Sequence, residues 1–337
     1  MVEINQPQRH TTPERIDYLD GWRGLAISLV LLEHFLGVYN VNVGRLGVDI
    51  FFVLSGMLMA NILFIKRPPL SVFYKRRFSR IFPVFFVFVT SVSLASYFLN
   101  LSEEHGNYLY NLLFLRSYFP SSPDIWNTGL PIGHLWSLNV EEHSYVILSI
   151  FTLIPILRQR EYIPLILLGG ACIVIQYLYY RFPNYAPYSF HLHTEVVASH
   201  LLLSAGYFLI KHKYKICVAS WAPLLCFALA VLCYSPLAPH WTAQWSIAPF
   251  LLAFCVNHLE HLSDTVKNLL SNKYLKYLGL WSFSIYLWQQ PFYFIIKNSS
   301  ESKDLVGLLL LLLAILAGVI SFYFLENPTR KFINQKW

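Results

Sequence analysis

Four stretches of this chain place ionisable side chains inside runs that are otherwise apolar. Chemistry is to be sought there, because an ionisable group within a membrane span is costly and turns toward the protein interior. The first stretch is Asp20-Gly21-Trp22-Arg23-Gly24, followed by Glu33-His34. The spacing of Arg23 and His34 returns a helix to within about 20° of the same face and separates the two by roughly 16 Å along the axis. One face then carries a cation near one membrane surface and, deeper, an imidazole suited to general-base work. The same pair also reads as a snorkelling arginine and a histidine bonded to a neighbouring helix.

The second stretch, Gly47-Val48-Asp49-Ile50-Phe51-Phe52-Val53-Leu54-Ser55-Gly56, opens the next apolar run. A short loop joins the two runs, so Asp49 and His34 fall toward the same surface. An aspartate accepting from one imidazole nitrogen would leave the other as a base; Asp49 reads equally as the N-cap of the second helix. The third stretch is Lys75-Arg76-Arg77-Phe78-Ser79-Arg80-Ile81-Phe82-Pro83. Its guanidinium density suits bidentate binding of a donor's phosphates, and it is also ordinary cytoplasmic-loop charge.

The fourth stretch runs from Gly133 to Tyr145 and holds His134, Asn139, Glu141, Glu142 and His143. His134, Glu141 and Tyr145 share a helix face, with Glu141 roughly 14 Å from the outer end of its span. A carboxylate at that depth needs a partner. Glu141 is therefore expected either to face a polar cavity shared with His34, touching a cationic or hydroxyl-bearing side chain, or to pair with an arginine of another helix. Glu142, about 100° round the helix, is expected to point elsewhere and toward another helix.

The elements that carry these residues are membrane helices. The 337 residues are 56% hydrophobic and only 13% charged, with mean hydropathy +0.48, which excludes a water-soluble globule. Apolar segments near 20–39, 46–65, 81–100, 132–156, 162–180, 195–210, 216–235, 242–258, 274–296 and 305–325 each approach the length a span needs, the sixth and eighth least clearly. The fold expected is all-α: a polytopic membrane helix bundle of about ten transmembrane helices, both termini cytoplasmic. That threading puts most Lys and Arg on the cytoplasmic side and only Arg45, Arg116, Arg181, Lys297 and Lys303 outside. The net charge of +7 thus reflects cytoplasmic loops and no nucleic-acid partner. The loop over 101–131, with Glu103, Glu104, Pro120 and Asp124, lies outside and could cap an external site. Cys172, Cys217, Cys226, Cys233 and Cys255 sit in apolar runs and read as buried side chains, with no metal or disulfide implied. The polar residues 1–20, among them Arg9, His10, Glu14 and Arg15, precede no cleavable h-region, so the first helix is expected to be both targeting signal and anchor.

Taken jointly, the motifs resemble the acyltransferase 3 family of multispan membrane acyltransferases. The resemblance rests on Leu19-Asp20-Gly21-Trp22-Arg23-Gly24 with His34, Gly47 to Gly56, Arg77-x-x-Arg80 with Pro83, and Leu135-Trp136-Ser137-Leu138 with Glu141-Glu142. Ser282 to Pro291 and Phe324-Leu325-Glu326-Asn327-Pro328 are similar to the family's closing motifs. The resemblance implies transfer of an acyl group, commonly acetyl, from a cytoplasmic coenzyme A thioester to a hydroxyl of a carbohydrate or glycolipid acceptor. It also implies that Arg23 and His34 form the family's Arg-x10-His element, and Arg77 and Arg80 its Arg-x-x-Arg element. Gln289 stands where many relatives have histidine. Some relatives append an extracytoplasmic hydrolase-like domain; residues 1–337 are expected to form one domain without it.

Acyl transfer from a thioester to an alcohol needs a base near the hydroxyl, a donor to the developing oxyanion and an anchor for the donor's phosphates. His34 would be the base, with Asp49 and Glu141 as further catalytic groups. Arg23, Arg77 and Arg80 would bind acetyl-coenzyme A or another acyl-coenzyme A. His134, Asn139 and Tyr286 would serve the acceptor or the oxyanion. The partners expected are the acyl donor, the carbohydrate or glycolipid and the bilayer, in a cell membrane, with no resident cofactor or metal. A transporter or flippase of an envelope precursor is the alternative, since buried Glu, His and Arg also mark transport pathways. Repeated halves are absent and the polar motifs crowd the first half of the chain, which favours the enzyme.

Overall fold

The computed structural model describes residues 16–37, 40–101, 108–119, 130–237, 243–298 and 303–336. Residues 1–15, including Arg9 and Arg15, and most of the loop at 101–131, including Glu103, Glu104 and Pro120 to Asp124, lie outside the described residues. Among the described residues, where no strand occurs, the helices that position the site are, in order, α1 (Asp17–Leu36), α2 (Val43–Ala60), α3 (Leu70–Phe98), α4 (Leu135–Thr152), α5 (Tyr162–Arg181), α6 (Ser199–Tyr214), α7 (Ala222–Cys233), α8 (Ala248–Asn257), α9 (Lys273–Asn298) and α10 (Lys303–Ser321), with shorter helices between and after them. Four helices among the described residues are long and apolar enough to cross a membrane: Val43–Lys66, Leu70–Phe98, Tyr162–Arg181 and Leu305–Lys336. The chain is a multi-pass membrane protein. α7 and α8 are apolar but shorter, and α1 and α4 carry the charged and polar side chains singled out above.

Several boundaries differ from expectation, for local reasons. α3 starts at Leu70, directly after Pro69, and runs through Pro83; Arg77 and Arg80 are thus turned by the helix itself and do not sit on a preceding loop. The segment 195–210 is divided between Thr194–Val197 and α6, and 242–258 between Ala243–Ser246 and α8. α2 continues as a π-helical turn, Asn61–Lys66, and α10 as another, Phe322–Glu326, before a terminal helix Asn327–Lys336. Each π turn inserts a residue into the helical count and rotates the residues beyond it about the helix axis. Cys217, expected buried, is exposed, because α6 ends at Tyr214 with Lys215 in the left-handed region and the chain turns outward there. All five cysteines are free thiols.

α1 lies at the centre, packed on α2, α9 and α10; α6 joins α2 to α5 and α8. The α1–α9 contact is backbone against backbone. A Cβ at Gly24 would lie 2.0 Å from the Leu275 carbonyl oxygen, and one at Gly279 would lie 1.8 Å from that of Asp20. On its other side α1 meets α2 almost as closely, since a Cβ at Gly47 would lie 2.5 Å from the Ala26 carbonyl oxygen. Without side chains at these positions the helices approach as small-residue membrane interfaces do. Apolar side chains fill the space around them, including Ile27, Val30, Phe35, Phe52 and Ile285, all buried.

Candidate active site

Two cavities adjoin inside the bundle. The first, the histidine cavity, is lined by Glu33 and His34 of α1, Arg45 of α2, His134 and Trp136 at the start of α4, and Tyr286 of α9. His34 Nδ1 lies 2.8 Å from Oε1 of Gln289, a residue with 0% exposure. Gln289 Nε2 donates to Gln290 Oε1 at 3.2 Å, which turns the Gln289 carbonyl oxygen toward the ring. An amide oxygen only accepts, so Nδ1 carries the proton and Nε2 presents its lone pair. The ring stacks on Tyr293, centroids 4.1 Å apart, and its pose is thereby held on two sides.

The second, the arginine cavity, is lined by Arg23 of α1, Ser55 of α2, Arg77 and Arg80 of α3, and Glu141 and Tyr145 of α4. Arg77 is committed to two carboxylates: its Nη2 is 2.7 Å from Glu142 and 3.7 Å from Glu141, and its guanidinium lies 3.9 Å from the centre of the Tyr145 ring. Glu141 also accepts from Ser55 at 2.8 Å and from the Tyr145 hydroxyl. Arg23 pairs with Asp20 at 3.2 Å. Arg80 forms no ion pair among the described residues. Arg77 Nε, too, is buried without a hydrogen-bond partner among the described residues, so each of the three arginines keeps at least one donor of the kind with which guanidinium groups bind phosphate.

Val48 of α2 and Tyr286 of α9 line both cavities and form the boundary between them. The Tyr286 hydroxyl donates to the His134 carbonyl at 3.0 Å and lies 2.6 Å from the Ser137 hydroxyl. Along α1, Arg23 lines the arginine cavity and His34 the histidine cavity; along α4, Glu141 and Tyr145 line the arginine cavity, and His134, just before that helix, lines the histidine cavity.

Some expected neighbours are elsewhere. Glu141 and His34 do not share a cavity; they stand on opposite sides of the Val48–Tyr286 boundary. Glu142 does reach another helix, but its target is the same Arg77 that Glu141 meets. Asp49 is not beside His34. It binds Arg45 Nε through both oxygens (3.1 and 2.9 Å), accepts from Tyr234 at 2.8 Å and lies 3.5 Å from His200 Nε2. The i, i+4 spacing of Arg45 and Asp49 favours this pairing, and the N-cap of α2 is Asn42, whose side chain accepts from Arg45 N. Asn139 is buried, donates to Ser117 Oγ at 3.3 Å and lines neither cavity. His134 packs edge-on against Phe88, centroids 5.5 Å apart. The residue that sequence reasoning missed beside His34 is Gln289; the signal available was its substitution for histidine. Among the described residues no three His, Cys, Asp or Glu converge as a metal site.

The model of an acyltransferase domain family matches residues 16–325. The peptidoglycan O-acetyltransferase OatA of Listeria monocytogenes is 27% identical, covering 94% of this chain and 56% of its own. The putative peptidoglycan O-acetyltransferase YrhL of Bacillus subtilis is also 27% identical, covering 93% of this chain and 54% of its own. A putative O-acetyltransferase of Staphylococcus aureus is 23% identical, covering 97% and 60%. The chain thus spans little more than half the length of the curated relatives it matches. No solved structure matches it. With Arg23, Arg77, Arg80 and Glu141 on one cavity, His34 on the one adjoining it, and the family model spanning nearly all of the helical bundle, the chain belongs to the acyltransferase domain family.

Proposed function

We propose that this protein is a membrane O-acyltransferase that moves an acetyl group from a cytoplasmic coenzyme A thioester to a hydroxyl of a carbohydrate of the cell envelope, with peptidoglycan, the glycan in the relatives' names, as the first acceptor to test. The observation that carries the reading is the pair of cavities meeting at Val48 and Tyr286. Cations stand on one side, and on the other an imidazole whose Nε2 has no hydrogen-bond partner among the described residues. The orientation that goes with it is ten crossings with both termini cytoplasmic, so that the arginine cavity opens to the cytoplasm and the histidine cavity to the outside. Positive-inside charge supports it.

In this scheme Arg80 and Arg23 hold the donor's phosphates, and the pantetheine arm extends toward Val48. His34 Nε2 removes the proton of the acceptor hydroxyl as its oxygen bonds to the thioester carbonyl carbon. The carbon–sulfur bond then breaks, and the proton passes from His34 to the departing coenzyme A sulfur. Gln289 keeps the imidazole in the tautomer that can do this. Arg77, held by Glu141 and Glu142, shapes the cavity wall. The test is acyl-ester formation in membranes holding matched amounts of protein: His34→Ala should lower it by about 10² to 10⁴, the usual contribution of a positioned base. Near-wild-type rates in that variant would remove His34 from the mechanism.

A further inference from the structure

If the transferred group travels from the arginine side to His34, it must pass the boundary between the cavities, where Val48 and Tyr286 are the two side chains that line both. Val48 follows Gly47, whose backbone is pressed against α1 so that a Cβ would lie 2.5 Å from the Ala26 carbonyl oxygen. α2 therefore has no room to move toward α1 at this level. Tyr286 is tied at its hydroxyl to the His134 carbonyl (3.0 Å) and to Ser137 (2.6 Å), both at the first turn of α4. Its ring also lies 5.2 Å from that of His134. The boundary thus joins three helices, α2, α9 and α4, each held in place by a contact independent of any ligand.

We infer that Val48 and Tyr286 gauge the acyl group, admitting a two-carbon acyl and excluding longer chains. This rests on the proposed transfer reaction and adds to it the element that sets donor selectivity. An aliphatic and aromatic boundary discriminates by volume: each additional methylene takes space that the side chains lining it have to give. Apolar sites of this kind separate substrates that differ by one methylene by about 10- to 200-fold. Val48 is the side to alter, because truncating Tyr286 would also release the α4 turn.

The experiment uses the full chain in lipid nanodiscs for binding, and membranes that carry their own envelope glycans for transfer, with acetyl-, propionyl- and butyryl-coenzyme A as probes. Wild type should transfer acetyl at least about 10-fold faster than butyryl. Val48→Ala should narrow that preference about 10-fold or more and tighten butyryl-coenzyme A binding. Val48→Phe should keep the wild-type thermal unfolding profile, which shows that the bundle is folded, yet lose acetyl transfer by about 100-fold. His34→Ala should lose transfer of every chain length without changing the order of binding. If wild type binds and transfers the thioesters but Val48→Ala leaves the chain-length order unchanged, or Val48→Phe transfers acetyl normally, the gauge is refuted and the transferase reading stands. If wild type binds none of the thioesters, the donor reading fails and the gauge fails with it.

Discussion

Substituting Gln289 by leucine tests whether the imidazole is oriented as the bond to Nδ1 implies. Leucine nearly preserves the volume at a position with 0% exposure but removes the acceptor 2.8 Å from His34 Nδ1. A buried donor left without a partner costs about 1–3 kcal/mol. The ring can avoid that cost by moving its proton to Nε2 or by turning out of its stack on Tyr293, and either change takes the lone pair away from the acceptor. If the whole penalty falls on the reactive arrangement, the rate drops by about 5- to 150-fold. The assay is initial-rate acyl-ester formation against donor concentration. The fall should appear in kcat, with the KM for donor unchanged, because Gln289 does not line the arginine cavity. Gln289→Asn, which keeps the amide on a shorter arm, should be intermediate. A Gln289→Leu enzyme within twofold of wild type would refute the orienting bond.

Three other outcomes are expected. Arg77→Ala should lower stability by about 3–5 kcal/mol, since it strands Glu141 and Glu142 in the cavity wall, and adding Glu141→Gln and Glu142→Gln should restore much of the loss in thermal unfolding; Arg80→Ala should leave unfolding unchanged and raise the donor KM about 10-fold. A membrane-impermeant maleimide should label Cys217, the exposed thiol, only after cells are opened, if the α6–α7 connection is cytoplasmic; labelling of intact cells would reverse the proposed orientation. Gly24→Val should abolish the folded protein or sharply lower its yield in size-exclusion profiles, because its Cβ would lie 2.0 Å from a backbone oxygen.

Much of the site is legible within single helices. Spacing puts Arg23 and His34 on one face, and Glu141 and Tyr145 on another, because the helical repeat relates residues of the same element whatever surrounds it. What spacing does not carry is which helix stands opposite. Gln289 is far from His34 in the chain, and nothing in the local sequence of either pairs them. The expected pairing of Asp49 with His34 fails for the same reason: proximity in depth is not proximity in rotation, and the guanidinium of Arg45, one turn earlier, is already within reach. The split of Glu141 from His34 depends on Val48 and Tyr286, two residues with no charge to draw attention. The π turns at Asn61–Lys66 and Phe322–Glu326 escape sequence reading because a single inserted residue leaves the hydropathy profile unchanged while re-aiming the side chains beyond it.

The backbone contact between α1 and α9 has a consequence for how the protein responds to its bilayer. His34 rides on α1 and Gln289 on α9, and these two helices are clasped at Gly24 and Gly279, near the end of the pair remote from the imidazole. Lipid thickness and lateral pressure act on a bundle chiefly by tilting its helices. The two helices also meet beside the imidazole, where His34 and Phe35 pack on Tyr293, so they are held at both ends and tilt as one body, and the distance between imidazole and amide is insulated from such strain. Activity across vesicles of graded acyl length should therefore vary through donor access while the base keeps its alignment.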